Sequence, residues 1–220
     1  MQHDQRGQHV HSSGSILLDR GWRYDLEVWF TDTFVLRGEI KRLRERVIDL
    51  VDPSPGQRVL DVGCGTGTLA IRMAGDRPGV RVSGIEPAPR QLSRARSKAR
   101  RAGLDIDLQS GVIEDLQFAD GAFDAVTTTL MMHHLPVDTR RQGLTEISRV
   151  LKPEGCLVVA DFDHGDGQEP AVKPPGFEDT RTLRDAIEAA GFGDVRVEHV
   201  RFARQHRGWV GASIIRAIRL

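Results

Sequence analysis

Three glycines at alternate positions, Gly63, Gly65 and Gly67, follow an acid in the run Asp61-Val62-Gly63-Cys64-Gly65-Thr66-Gly67. Glycine lets the backbone turn sharply and approach a ligand with no Cβ in the way. Where such a loop opens a helix, the free N–H groups and partial positive charge of the helix start favour an anionic group. A second acid, Glu86, lies 19 residues beyond Gly67, a separation at which a carboxylate can take the two hydroxyls of a ribose. A bare strand-to-helix turn is the plain alternative, and the combination of alternating glycines with Glu86 weighs against it. A dinucleotide asks for G-x-G-x-x-G; here the third glycine comes one residue early and Thr68 follows it. The spacing thus disfavours a nicotinamide-dependent reductase.

Proton chemistry centres on the pair His133-His134, since imidazole titrates near neutrality. Either can act as a general base on an acceptor, or simply pack in the turn before Pro136. Tyr24 is a further candidate, against a plain reading as part of a core-packing helix. Asp161, Asp163 and His164 stand together at the start of a Gly- and Pro-rich loop that runs to Phe177. Acids there can hold a cation, but Asp and His in a turn are ordinarily solvated, and no metal is expected. Cys64 and Cys156 are far apart and make neither a disulfide framework nor a zinc cluster.

These residues need elements to position them. Ile40, Leu43, Val47 and Leu50 recur at helical steps, and Asp52-Pro53-Ser54-Pro55-Gly56 ends that helix. Beyond it the period changes. Strands are expected at 58–62, 80–85, 106–109, 125–129 and 157–160, with helices at 68–74, 89–102, 139–151 and 178–190 between and after them. Pro153-Glu154-Gly155 stops the third of these helices, and Gly191 ends the fourth. Two strand-like segments, 195–203 and 209–218, joined by Gln205-His206-Arg207-Gly208, close the chain as a hairpin. The fold class is therefore α/β: a Rossmann-like, doubly wound, seven-stranded sheet, mostly parallel with a C-terminal antiparallel hairpin. The glycine loop then lies at the carboxyl end of the first core strand, where such sheets bind ligands.

The organisation expected is a flexible arm over 1–15, an N-terminal helical lid or substrate segment over 16–55, and a cofactor-binding core over 56–220. Trp22, Trp29, Phe30 and Phe34 concentrate aromatics in the second of these; they can stack on a flat acceptor or pack on the sheet edge. Lys and Arg number 31, as do Asp and Glu, which argues against a nucleic-acid binder with its usual basic excess. The run Arg90, Arg94, Arg96, Lys98, Arg100 and Arg101 contains no acid and reads as a solvated helix face. The polar N-terminus and the lack of a long apolar run point to a cytoplasmic protein with no membrane span.

Leu60-Asp61-Val62-Gly63-Cys64-Gly65-Thr66-Gly67 resembles the first motif of class I S-adenosylmethionine-dependent methyltransferases. Further stretches match that family in order: Gly84-Ile85-Glu86-Pro87, then 111–118, then Phe123-Asp124-Ala125-Val126 with Leu130, His133, His134 and Leu135, then Leu151-Lys152-Pro153-Glu154-Gly155. The likeness covers about residues 57–162 and is strongest to the small-molecule branch that includes ubiquinone and menaquinone C-methyltransferases. It implies S-adenosylmethionine as cofactor and S-adenosylhomocysteine as product. Gly63, Cys64, Gly65 and Gly67 would follow the methionine part, with Asp61 anchoring its ammonium and Thr129, beside Leu130, offering its carbonyl. Glu86 would hold the ribose diol, Pro87 would lie against the adenine, and Ile113 and Glu114 would flank its edge. The family often has Asp directly after the glycine of the third stretch; here it is Val112, so Glu114 or Asp115 substitutes or the contact is absent. The acceptor expected is a small, aromatic or isoprenoid-like molecule, recognised by Trp29, Phe30 and His133. Neither nucleic acid nor a membrane span is expected, and a homodimer is left open. The rivals are a protein of the same fold that binds the cofactor without methylating, and the reductase.

Overall fold

Val59, Leu60 and Val62 are all buried, as a continuous apolar run in a central parallel strand must be. They belong to one sheet that orders the chain. The computed structural model describes residues 8–10, 16–18, 38–163, 180–206 and 209–220. In chain order its elements are β1 (Gln8–Val10), β2 (Ile16–Leu18), α1 (Glu39–Val51), β3 (Arg58–Val62), α2 (Thr68–Asp76), β4 (Arg81–Ile85), α3 (Pro89–Arg101), β5 (Asp107–Gln109) and β6 (Phe123–Thr129). A 3-10 turn at Met132–His134, α4 (Val137–Val150), β7 (Leu151–Asp163), α5 (Thr180–Ala189), β8 (Phe192–His206) and β9 (Trp209–Arg219) complete it.

The seven-stranded sheet has the order β5-β4-β3-β6-β7-β9-β8. Five strands are parallel, while β9 runs antiparallel to both β7 and β8. From β3 the chain winds outward through β4 and β5, then returns to β3's other side as β6. That reversal is the topological switch point of the sheet. One face is covered by α1 and α2, with Leu43, Val47, Leu69 and Met73 packed on Val59, Val158 and Ile214. The other is covered by α4 and α5, with Leu144, Ile147, Leu183 and Ile187 against Leu60, Val126, Leu157 and Ile215. Helix α3 closes the β5 edge through Leu92, Ala95, Ala99 and Leu108.

Three local readings are corrected. The fifth core strand is longer than its apolar run, because Pro153-Glu154-Gly155 is a bulge inside β7. The register with β6 jumps from Phe123 opposite Leu151 to Ala125 opposite Cys156, and Glu154 turns through φ 62°. Within the expected arm and helical segment, Gln8–Val10 pairs antiparallel with Ile16–Leu18, the β-branched Val10 standing opposite Ile16; among the described residues the first helix begins at Glu39. The basic face of α3 also makes fixed contacts. Arg96 donates twice to the Leu108 carbonyl, at 2.7 and 3.1 Å, and Lys98 Nζ donates to the Thr66 and Thr68 hydroxyls at 3.2 and 3.0 Å. Among the described residues no helix is long and apolar enough to cross a membrane.

Gly143 of α4 shows how tightly this layer is fitted. A Cβ there would stand 2.6 Å from Ile113 Cγ1. In an exposed helix Ala is better than Gly by about 1 kcal/mol, whereas overpacking a core costs about 1–3 kcal/mol. Gly143→Ala should therefore lower the urea midpoint at constant m-value, and Gly143→Ala combined with Ile113→Ala should lose less than the sum of the two single changes. A single variant more stable than the parent would show that helix propensity wins.

Candidate functional site

The glycine loop is fixed before any ligand is considered. Gly63, with φ 70°, leaves β3 in the left-handed region, and a Cβ on it would lie 2.6 Å from Met131 Cγ. Gly67 caps α2 with φ 75° and lets the loop lie against Ala95, whose Cβ a side chain would approach to 3.0 Å. The Cys64 N–H donates to the Ile85 carbonyl at 2.9 Å. Glu86, 8% exposed, joins the two strand exits: its Oε2 accepts from Gly65 N–H and its Oε1 from Ala88 N–H, each at 2.9 Å.

Asp61 is 3% exposed and accepts from the Thr127 hydroxyl at 3.1 Å across the β3–β6 pair. Burial raises its pKa to about 7; the Thr127 hydrogen bond and the Arg44 charge pull it down, and the Glu86 charge pushes it up. Burial likewise drives the Cys64 thiol far above its ordinary range, which makes it an inert packing group rather than a nucleophile.

One cavity at the switch point gathers most of the residues singled out in the sequence. Asp61, Gly63, Cys64 and Gly65 form its floor beside Glu86 and Pro87. Ile113 and Glu114 line it with Val112, and Thr129, Leu130 and His134 complete that wall. Asp115 is not in the wall and takes a hydrogen bond from Gln117 Nε2 at 2.7 Å, so Glu114 is the acid at that end. Gly67 also stands outside the wall, serving the helix start instead. His133 is set back from the cavity. Tyr24, Trp29 and Phe30, with the loop 164–177, lie outside the described residues. Arg44, Gln91 and Met131 line the cavity too and were not singled out. Their signal was a polar residue in an apolar stripe for Arg44; the others carried none.

The turn after β6 sets the histidines. Leu130 takes φ 56°, an uncommon conformation for a branched side chain, and this turn carries Met131 over Gly63. His133 Nδ1 lies 2.6 Å from Asp161 Oδ1, and its own N–H donates to Asp161 Oδ2 at 2.9 Å. Asp161 is thus a buried anchor inside β7 rather than a solvated loop residue. Burial favours its neutral form, but His133 and the N–H groups of Phe162 and His133 outweigh this and hold its pKa below the ordinary value. The two imidazoles lie 3.9 Å apart, centre to centre. Burial first, then the His133 charge, depress the His134 pKa to about 3, with Asp161 opposing. His134 is therefore neutral at physiological pH and a weak base. Asp163 instead takes hydrogen bonds from Ser213 Oγ at 2.8 Å and pairs with His199 at 2.9 Å. No group of three or more metal-ligating side chains occurs among the described residues.

A family model described as a methyltransferase domain matches residues 59–155, from the first core strand through the β7 bulge. That stretch, a little under half of the chain, is thus similar to a methyltransferase domain. Among curated relatives, the 27-O-demethylrifamycin SV methyltransferase of Amycolatopsis mediterranei is 33% identical over 150 residues, 66% of this chain and 54% of that protein. The demethylmenaquinone methyltransferase of Thermus thermophilus is 37% identical over 140 residues, 64% of this chain and 61% of that one. The matches thus span little more than half the length of these relatives. Among solved structures, the cyclase SpnF superposes on 81% of this chain and 80% of its own with TM-score 0.71 and 27% identity. A phosphoethanolamine N-methyltransferase of Haemonchus contortus in complex with S-adenosyl-L-methionine shares the fold, with TM-score 0.69 at 16% identity over 81% of this chain and 52% of that one. The cavity suits that cofactor's parts: a floor of glycine backbone at Gly63 and Gly65, an acid at each of two strand ends, and the buried Thr129 hydroxyl, which has no hydrogen-bond partner.

The two perturbed groups of the cavity have opposite effects on stability. Asp61, raised, stabilises the fold at low pH and loses that contribution as pH rises from about 4 to about 7. His134, lowered, stabilises it above its ordinary value of 6.5 and loses that as pH falls towards about 3. In denaturant titrations between pH 4 and 7, Asp61→Asn should therefore make stability climb more steeply with pH than in the parent. His134→Gln should make it fall instead. Parallel profiles for all three proteins would contradict both assignments.

Proposed function

We propose that the chain transfers a methyl group from S-adenosylmethionine to a small aromatic or isoprenoid-like acceptor. The observation that carries this reading is the single cavity at the switch point, which joins the glycine loop, Glu86 and the His134 wall within a methyltransferase domain. The names of the relatives, which include a demethylmenaquinone and a demethylrifamycin methyltransferase, support an acceptor of this class.

Bound there, the cofactor supplies a methyl group already activated on a sulfonium. The residues then bind, orient and exclude water, and such positioning carries most of the acceleration. Asp61 takes the ammonium of the amino-acid part and Glu86 the ribose diol. Pro87, Ile113 and Glu114 enclose the adenine. Leu130, Met131 and Leu135 give the apolar wall on the acceptor side. Between the histidines the environment divides the work. Asp161 fixes the Nδ1–H of His133, which leaves Nε2 as the basic nitrogen and stabilises the imidazolium that forms when it takes a proton. His134 stays neutral and packs or hydrogen-bonds against the acceptor. An acceptor that must lose a proton passes it through one bridging water to His133, which is set back from the cavity.

A screen of quinone precursors and phenols with radiolabelled methyl donor tests the reading; transfer to none of them, together with no binding of S-adenosylhomocysteine, would sink it. With an acceptor in hand, His133→Gln and Asp161→Asn should each cut turnover by about 10²–10⁴-fold while S-adenosylhomocysteine affinity holds. Glu86→Ala should instead weaken that affinity, by about 1–3 kcal/mol for lost hydrogen bonds to ribose.

A further inference from the structure

The sheet has two edges of very different length. On one side it ends in β5, of 3 residues, and on the other in β8, of 15 residues. Among the described residues β8 pairs with β9 alone, so the N–H and carbonyl groups of its outer side face no described strand. Such an edge is a template for one more strand, and proteins often break it up with bulges. In β8 the bulges stand at the ends. Its register with β9 shifts between Gly193 and Arg196, where Asp194 turns through φ 46°, and again between Arg201 and His206. Between these points 196–201 pairs with 216–211 without interruption and leaves a regular outer edge.

The residues of this stretch suit a second copy of themselves. The outward backbone groups of a strand belong to alternate residues. A copy docked antiparallel about a two-fold axis must therefore bring residues of the same parity opposite each other, and the axis falls on a residue. Of the axes that pair residues inside 196–201 with one another, only the one on Val197 sets opposite charges face to face: Arg196 meets Glu198 of the second copy, and the symmetry repeats the pair. An axis on Arg196 would instead set Asp194 against Glu198, and like charges directly opposite are destabilising. Both members of the favourable pair are exposed and already oriented. Glu198, its side chain 40% exposed, accepts from Arg46 Nε and Nη2 at 2.8 and 2.7 Å. Arg196, its side chain 71% exposed, donates from Nε to Asp194 Oδ1 at 3.1 Å. A carboxylate has lone pairs, and a guanidinium N–H groups, beyond those used here. Across the axis the charges then alternate as Arg46, Glu198, Arg196 and Asp194, and a network of this kind is where exposed ion pairs contribute.

We propose that two copies of the chain join through β8, antiparallel about a two-fold axis on Val197, so that their sheets run on as one. The interface is self-complementary, as a two-fold contact must be. A ladder this short gives a small interface, below the standard of about 800 Å² per partner, so the dimer dissociates on dilution. The switch point lies on the far side of β9 and β7 from this edge. Both cavities therefore stay clear of the interface, and the association is independent of the methyl-transfer reading.

Sedimentation equilibrium on the full chain, from about 1 μM to about 1 mM, tests the association. The average mass should rise from one chain towards two. Arg196→Glu leaves the Arg46–Glu198 pair in place but sets Glu opposite Glu198, and should raise the dissociation constant roughly 10-fold or more. Adding Glu198→Arg to it should recover part of the loss. Crosslinking tests the register. Val197→Cys brings the two thiols face to face on the axis, within disulfide reach, and should give a covalent dimer on mild oxidation; Cys64 and Cys156 are buried and do not compete. His199→Cys sets its two thiols four residues apart along the strands, beyond that reach, and should give none. A parent chain that stays monomeric throughout would overturn the proposal. So would a dimer that is indifferent to Arg196→Glu, or one that crosslinks through position 199 and not 197.

Discussion

A single buried carboxylate holds the site in register. Glu86 ends β4 yet hydrogen-bonds the N–H of Gly65 in the loop leaving β3 and the N–H of Ala88 before α3. The two strands are already paired in parallel up to Val62 opposite Ile85, so the carboxylate extends their registration past the last ladder bond into irregular backbone. Without it, the N–H groups of Gly65 and Ala88 would lose their side-chain acceptor, the latter in a buried place. Glu86 also lines the cavity, so the residue that fixes the loop is part of the cavity wall. Lys98, from behind, ties Thr66 and Thr68 to α3, and Met131 closes over Gly63 from above.

Charge is distributed in the cavity to suit a ligand that is itself charged. Burial raises the pKa of Asp61 to about 7, so near neutral pH it lies between its neutral and charged forms. An acid held at its ordinary value would stay charged in a buried site at continuous cost. The Arg44 charge shifts the balance towards the charged form.

Much of this was legible in the residues. The glycine loop, the acid 19 positions beyond it and the change from helical to strand period placed the core sheet and most of the cavity wall. What the sequence hid was whatever depends on contacts between distant segments. The length of β7 depends on β6 pairing on both sides of the Pro153–Gly155 bulge, and local propensity there reads as a turn. Asp161 looked like a loop residue because its partner, His133, is 28 positions away. Arg44 was masked by its neighbours: a helix face is read from apolar periodicity, and a lone cation within the stripe reads as noise until the sheet is folded beneath it. Gly67 erred the other way, since a glycine at a helix start looks alike whether it serves a ligand or the packing of Ala95.

The adjacent histidines show how far environment outweighs residue type. They share a turn and an ordinary pKa, and their rings lie 3.9 Å apart, so protonating one opposes protonating the other. The structure resolves this competition by place. His133 has an ionised carboxylate 2.6 Å from its Nδ1, whereas His134 is enclosed, with its pKa depressed to about 3. Asp161 thus holds one ring of the pair by a hydrogen bond, while burial keeps the other neutral. Moving Asp161 by one residue would turn its side chain to the opposite face of β7 and leave two equivalent neutral rings. The division of roles in this turn is thus set by the strand register between β6 and β7, which places Thr129 opposite Ala160, and not by the histidines themselves.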